Sequence, residues 1–147
     1  MKKLLLILFI TTNLCYSQNA QQNIIGEWIA TDFDGNVSKM IFSNDNYISM
    51  TINGEFVDGK NFVVKGGKND GQKGFMKYEI DDSSLPIKID IIAIKFEGGK
   101  NIEKGRILGI LDFLNKTEMR INMSFNGPRE SEFNESNQEN TIYLKIK

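Results

Sequence analysis

Histidine is absent from this 147-residue chain and cysteine occurs once, at Cys15. Without histidine, and with its one thiol near the N-terminus, the chain offers no Ser-His-Asp or Cys-His nucleophile. The usual zinc ligands go with them. Carboxylates, lysines, tyrosines and serines remain, but at no spacing that singles out a catalytic pair, so no enzyme, metal or cofactor is read from the sequence. A basic stripe is missing too: 18 basic residues are scattered among 19 acidic ones, for a net charge of −1. Such a surface lacks the electrostatic footprint of a nucleic-acid partner. Long apolar runs are lacking as well. The longest, Leu4 to Ile10, falls short of the roughly 20 residues that span a bilayer.

That run has its own meaning. Lys2 and Lys3 precede it, and Cys15-Tyr16-Ser17 follow a short polar stretch, which is the layout of a secretory signal peptide. Cleavage is expected after Ser17, with the protein exported to the periplasm or beyond the cell. Lipid anchoring through Cys15 is the alternative, weakened by Leu14 and Asn13 where a small residue would be needed. Cleavage removes Lys2 and Lys3 and leaves 16 basic against 19 acidic residues, a net charge of −3. It also removes the only cysteine and leaves no apolar segment of membrane-spanning length. No disulfide can then form, so one hydrophobic core must hold a single domain over residues 24–147, behind a flexible polar lead-in at 18–23.

From Ile24 onward the pattern is short strands between turns, with no convincing helical period. Strands are expected at 25–31, 37–42, 47–52, 62–65, 75–80, 87–96, 106–113, 117–124 and 141–146. Asp34-Gly35, Asn53-Gly54, Asp58-Gly59 and Gly98-Gly99 tolerate the positive φ of tight hairpins. Met119, Ile121 and Met123 alternate with Glu118, Arg120, Asn122 and Ser124, and Ile142, Leu144 and Ile146 alternate likewise, so each strand should bury one face and wet the other. The apolar parity switches between Ile91 and Ile92, where a β-bulge would curl the sheet. A closed meander would pair the first strand with the last. Two stretches fall outside this pattern: the glycine-rich Gly66–Gly74, read as a mobile loop or mouth, and Phe125–Asn140, too long for a hairpin.

Four features then fall in order along the chain. Gly26-Glu27-Trp28 opens the first strand; Asp81, Pro86 and Asp90 stand at the spacing Asp-x4-Pro-x3-Asp; Gly109-Ile110-Leu111 leads into a hairpin; and Arg129-Glu130-Ser131-Glu132-Phe133 follows the next strand. Together they resemble the lipocalin-like domain of secreted bacterial proteins first catalogued from planctomycete genomes. Leu111 stands where that family has tyrosine and Glu130 where it has proline. The resemblance implies an all-β, antiparallel, up-and-down barrel of about eight strands and no reaction.

Candidate roles follow. Trp28 is expected to plug the base of the barrel beneath Arg129, Lys145 or Lys147, since a buried indole with a cation over its face is a structural unit. Asp81 should cap the turn into Pro86, while Asp90 and Arg129 should form a bidentate pair and pin the long loop. With Gly26 and Gly109 these make up the structural motif. Asp32-Phe33-Asp34-Gly35-Asn36 is no calcium loop: its glycine comes fourth, and Ser43 stands where the twelfth-position glutamate belongs. Met50, Met76, Tyr78, Met119 and Met123 could line an adaptable cavity, with Phe133 at its rim, or simply fill the core. Two functions are expected: binding of a small apolar or amphipathic ligand in the barrel mouth or, with a filled barrel, contact with an envelope or extracellular partner through the loops.

Overall fold

The computed structural model describes residues 19–31, 35–52, 54–65 and 70–147. The expected leader with Cys15, most of the loop weighed as a calcium site (32–34) and the centre of the glycine-rich loop (66–69) lie outside the described residues.

A short helix, α1 (Ala20–Asn23), precedes ten strands: β1 (Gly26–Thr31), β2 (Val37–Phe42), β3 (Ile48–Ile52), β4 (Glu55–Val57), β5 (Phe62–Val63), β6 (Lys73–Asp81), β7 (Ile87–Glu97), β8 (Lys100–Phe113), β9 (Glu118–Ser124) and β10 (Thr141–Ile146). All belong to one antiparallel sheet of order β4-β3-β2-β1-β10-β9-β8-β7-β6-β5. Strands consecutive in sequence pair, as tight turns require, except β4 and β5, and β1 pairs with β10 through Trp28 opposite Ile146 and Ile29 opposite Lys145. The result is an all-β, nearly closed barrel.

It has ten strands where about eight were expected. The three-residue β4 is too short to show an alternation, and β5 pairs over only two residues. These two strands flank the one gap in the ring. Next to that gap β3 and β6 meet directly, through a bridge between Tyr47 and Lys77 and a 2.9 Å bond from the Tyr78 N–H to Asn46 O. Gly59, in the turn between β4 and β5, completes the join: its N–H donates to Ser49 Oγ (2.9 Å) and its carbonyl accepts from the Met76 N–H (2.8 Å).

The inward face of every long strand contributes to one core, led by Trp28, Phe42, Ile48, Tyr78, Ile89, Leu111, Met119, Ile121 and Leu144. In place of the flexible lead-in, α1 closes one end of the barrel. Asn19 caps it, Ala20 and Ile24 are fully buried, and the Ala20 N–H reaches Asp82 Oδ2 (3.3 Å). Two apolar residues bring an otherwise polar segment onto the core.

Other expectations are corrected at particular residues. The β6–β7 register runs unbroken through Ile91 and Ile92; the bulge falls further on, where Lys104 of β8 is the extra residue between the pairs Ala93–Gly105 and Ile94–Glu103. Ile92 is buried on the outer face, which produced the apparent switch of parity. Asn122 was assigned to a wet face but is buried, because the 3-10 helix Glu135–Asn140 lies over it: Asn122 Nδ2 donates to Asn137 O (3.0 Å) and Thr141 Oγ1 (3.2 Å). Lys73 and Gly74 belong to β6, so the glycine-rich loop is shorter than read. Of Ile142, Leu144 and Ile146, only Leu144 enters the core.

Candidate functional site

The motif residues lie in two places. Trp28 is fully buried; its Nε1 donates to Ile24 O (2.7 Å) and its ring packs against Phe113 at 6.3 Å. The expected cation does not cover it: Lys145 pairs with Glu118, Lys147 with Glu27, and Arg129 with Asp90. The carbonyl at the end of α1 satisfies the indole N–H, so the indole binds the plug to the barrel wall and needs no charge above it. Among the described residues the cation–π contacts lie elsewhere, on Phe56, Tyr47 and Phe133.

Asp90 and Arg129 do pair, but without the two aligned hydrogen bonds of the expected bidentate geometry. Arg129 Nη2 lies 2.6 Å from Asp90 Oδ1, while Nη1 donates to Gly109 O (2.6 Å) and Ile89 O (3.3 Å). The contact at Oδ1 is one of charge rather than an aligned hydrogen bond, since no donor points squarely at that buried oxygen. Asp90 Oδ2 accepts from Arg106 Nη1 (2.8 Å), and Arg106 also binds Glu79 and Glu103, which hold its guanidinium more firmly protonated than usual. One carboxylate between two guanidinia thus fastens the 125–140 segment to the outside of β7 and β8. Gly109 makes room for a core side chain instead: a Cβ there would stand 2.4 Å from Met123 Sδ and 2.9 Å from Asn122 O. Asp81 caps its turn as expected. It accepts from the Ser83 N–H (3.1 Å) and hydroxyl and pairs with Lys88 (3.1 Å), and its carboxyl is held down to about 2, by the Ser83 hydroxyl first and Lys88 next. Pro86 ends the turn after a cis bond from Leu85, and Gly26, at φ 144°, opens β1 in a backbone form open to glycine.

Of the candidate ligand contacts, Met50, Met76, Tyr78, Met119 and Met123 come together in the buried core, and Phe133 does not. The Tyr78 hydroxyl donates to Ser43 O (2.8 Å), the ring meets Phe42 edge-on at 5.1 Å, and burial pushes the phenol's pKa up. Phe133 lies on the outer wall with its ring 4.2 Å from the Arg120 guanidinium, beside a polar depression of about 300 Å³ that Asn134, Gln138 and Tyr143 also line.

A larger space opens where the ring is incomplete. A cleft of about 570 Å³ lies between β4 and β5, with walls of Ile52, Phe56, Val57, Phe62, Val63 and Val64. Val57 stands opposite Met50 in the β3–β4 register and Gly59 is bonded to Met76, but the cleft's own walls do not include the expected methionines. Its polar residues are Glu55, Asp58, Asn61 and Lys65. An ion pair from Lys65 to Glu55 joins the two walls. Asp58 accepts from Asn61 Nδ2 (2.9 Å) and the Lys60 N–H (2.9 Å), which hold its carboxyl below the usual range. The sequence reading placed a ligand at the mouth but missed these residues. The clue was present: Phe56 and Val57 stand between two turn signals, Asn53-Gly54 and Asp58-Gly59.

Among the described residues no helix is long and apolar enough to cross a membrane. The chain matches no protein-family model, no curated protein and no solved structure in the comparisons made.

Proposed function

We propose that this chain is an exported, lipocalin-like binding module that holds a small apolar or amphipathic molecule at the opening of its barrel and catalyses no reaction. The observation that carries this reading is the 570 Å³ cleft between β4 and β5. It falls within the size range of small-molecule sites and combines an apolar lining with a few polar groups at the rim. The interior nearer α1 is packed with large side chains, so the ligand belongs at the gap and not in a deep central cavity. Export is supported by the leader pattern of residues 1–17, and the absence of catalysis by the lack of histidine and of a thiol beyond Cys15.

Native mass spectrometry of the protein purified from its own host tests this directly, with a bound small molecule as the expected result. Binding of a neutral fluorescent naphthylamine should be lost in Phe56→Ser, whose half-exposed site spares the fold. Clean apo protein together with no dye binding would sink the reading.

A second reading rests on a different feature. Beyond the bulge, β7 and β8 run out as a ribbon that carries Phe96 and Ile102 exposed among Lys95, Glu97, Lys100 and Lys104. Such a ribbon suits contact with another protein, and it becomes the preferred reading if the cleft binds nothing.

A further inference from the structure

We infer that the cleft between β4 and β5 selects a cationic amphiphile, an apolar body ending in an ammonium group, over its neutral and anionic counterparts. This rests on the reading that the cleft binds a ligand at all.

Charge complementarity carries it. The cleft is lined by two carboxylates, Glu55 and Asp58, and one ammonium, Lys65. The Lys65–Glu55 pair is well exposed on both sides, at 70% and 61%. Exposed pairs of this kind contribute little, so a ligand ammonium can take the place of Lys65 at small cost. Asp58 remains anionic behind it, fixed by Asn61 and the Lys60 N–H. The neighbouring cations already have carboxylate partners of their own. Lys60 turns its ammonium away to Asp45 (2.7 Å) and the Tyr47 ring, and Lys39 binds Glu27 (3.1 Å).

The walls add to this. Phe56 and Phe62 offer aromatic faces, which attract ammonium groups and not carboxylates. Phe56 already receives one, with Lys39 Nζ at 5.7 Å from the ring centroid. A carboxylate head in the same position would face Glu55 and Asp58, and the cations near it, Lys65 and Lys39, would have to leave Glu55 and Glu27 to meet it.

Calorimetric titration of the full exported chain with dodecylamine, dodecanol and dodecanoate, each below its self-association concentration at pH 7, tests the inference. Dodecylamine should bind about tenfold more tightly than dodecanol, with dodecanoate weakest. Glu55→Gln should weaken the amine several-fold and leave the alcohol unchanged, Lys65→Gln should strengthen the amine, and Phe56→Ser should remove all three. Alcohol and amine binding equally, or dodecanoate binding best, would overturn the charge selection and leave the apolar site standing. Binding of none of the three would overturn both.

Discussion

Gly59 sits so close against Ile48 that a Cβ on the glycine would stand 1.9 Å from the Ile48 carbonyl oxygen. No rotamer can relieve that approach, because both partners are backbone. The turn between β4 and β5 is thereby clamped between β3 and β6, the strands that meet beside the gap. Gly59→Ala should therefore lower stability by about 2 kcal/mol or more, through overpacking and loss of the bonds to Ser49 and Met76. It should also deprotect the Met76 amide in hydrogen exchange. A variant with the wild-type melting temperature would show that the clamp is slack.

The Asp90–Arg129 pair predicts coupling. Both side chains are largely but not fully buried, at 14% and 22% exposure. The loss on removing either is set between that of a surface pair and a buried one, about 1–3 kcal/mol. In a cycle of Asp90→Asn, Arg129→Met and the double variant, the double should cost clearly less than the sum of the singles. Strict additivity would mean that Arg106 alone satisfies Asp90.

Trp28 predicts a large loss with a particular signature. Trp28→Ala should cost about 3–5 kcal/mol, as for other large core deletions. Trp28→Phe, which keeps most of the ring but drops the bond to Ile24 O, should cost less and should loosen α1 selectively. Amide exchange at Asn23 and Ile24, whose N–H groups bond within this turn, checks it; equal protection in Trp28→Phe and wild type would detach the indole from the plug.

Acid should lower the chain's stability in a defined window. Asp81 titrates at about 2, and Glu27, Asp45, Asp58, Glu97, Glu103 and Glu118 are each held below their ordinary values of 3.8 or 4.5 by lysine, arginine or amide partners. For carboxyls with depressed folded values, the unfolded chain takes up protons first as the pH falls. Their contribution is complete above the ordinary values and disappears on the way down to the folded ones. Melting temperature should hold from neutrality to roughly pH 5 and then fall steadily toward pH 2. Ser83→Ala should raise the Asp81 titration seen by carboxyl NMR; an unmoved titration would assign its depression to Lys88 and the residue-83 N–H.

Much of the barrel was legible because it rests on period-2 alternation and turn chemistry. Met119, Ile121 and Met123 point inward as the pattern required, and the meander order and β1–β10 pairing followed from short turns. The Asp90–Arg129 pair was legible as two complementary charges, one on the strand and one on the loop that breaks the meander. What escaped was covering of the outer face. Alternation shows that Asn122 points away from the core, but not that a 3-10 helix will lie over it. Trp28 was matched to a cation because Ala20 and Ile24 are too few to announce a helix that would supply a carbonyl instead. The cleft escaped for a related reason: it is defined by a pairing that β4 and β5 do not make, and sequence periodicity records only strands.

The closing pair of the ring joins Trp28 to Ile146, residues near opposite ends of the barrel's sequence. Contacts so distant in sequence cannot form until almost every other strand exists, and sheets ruled by them fold in milliseconds to seconds rather than microseconds. Until β10 is made, β1 therefore lacks one of its two partners and the ring cannot close. Under the export proposed above, that delay would be an asset, because it would keep the polypeptide threadable for translocation.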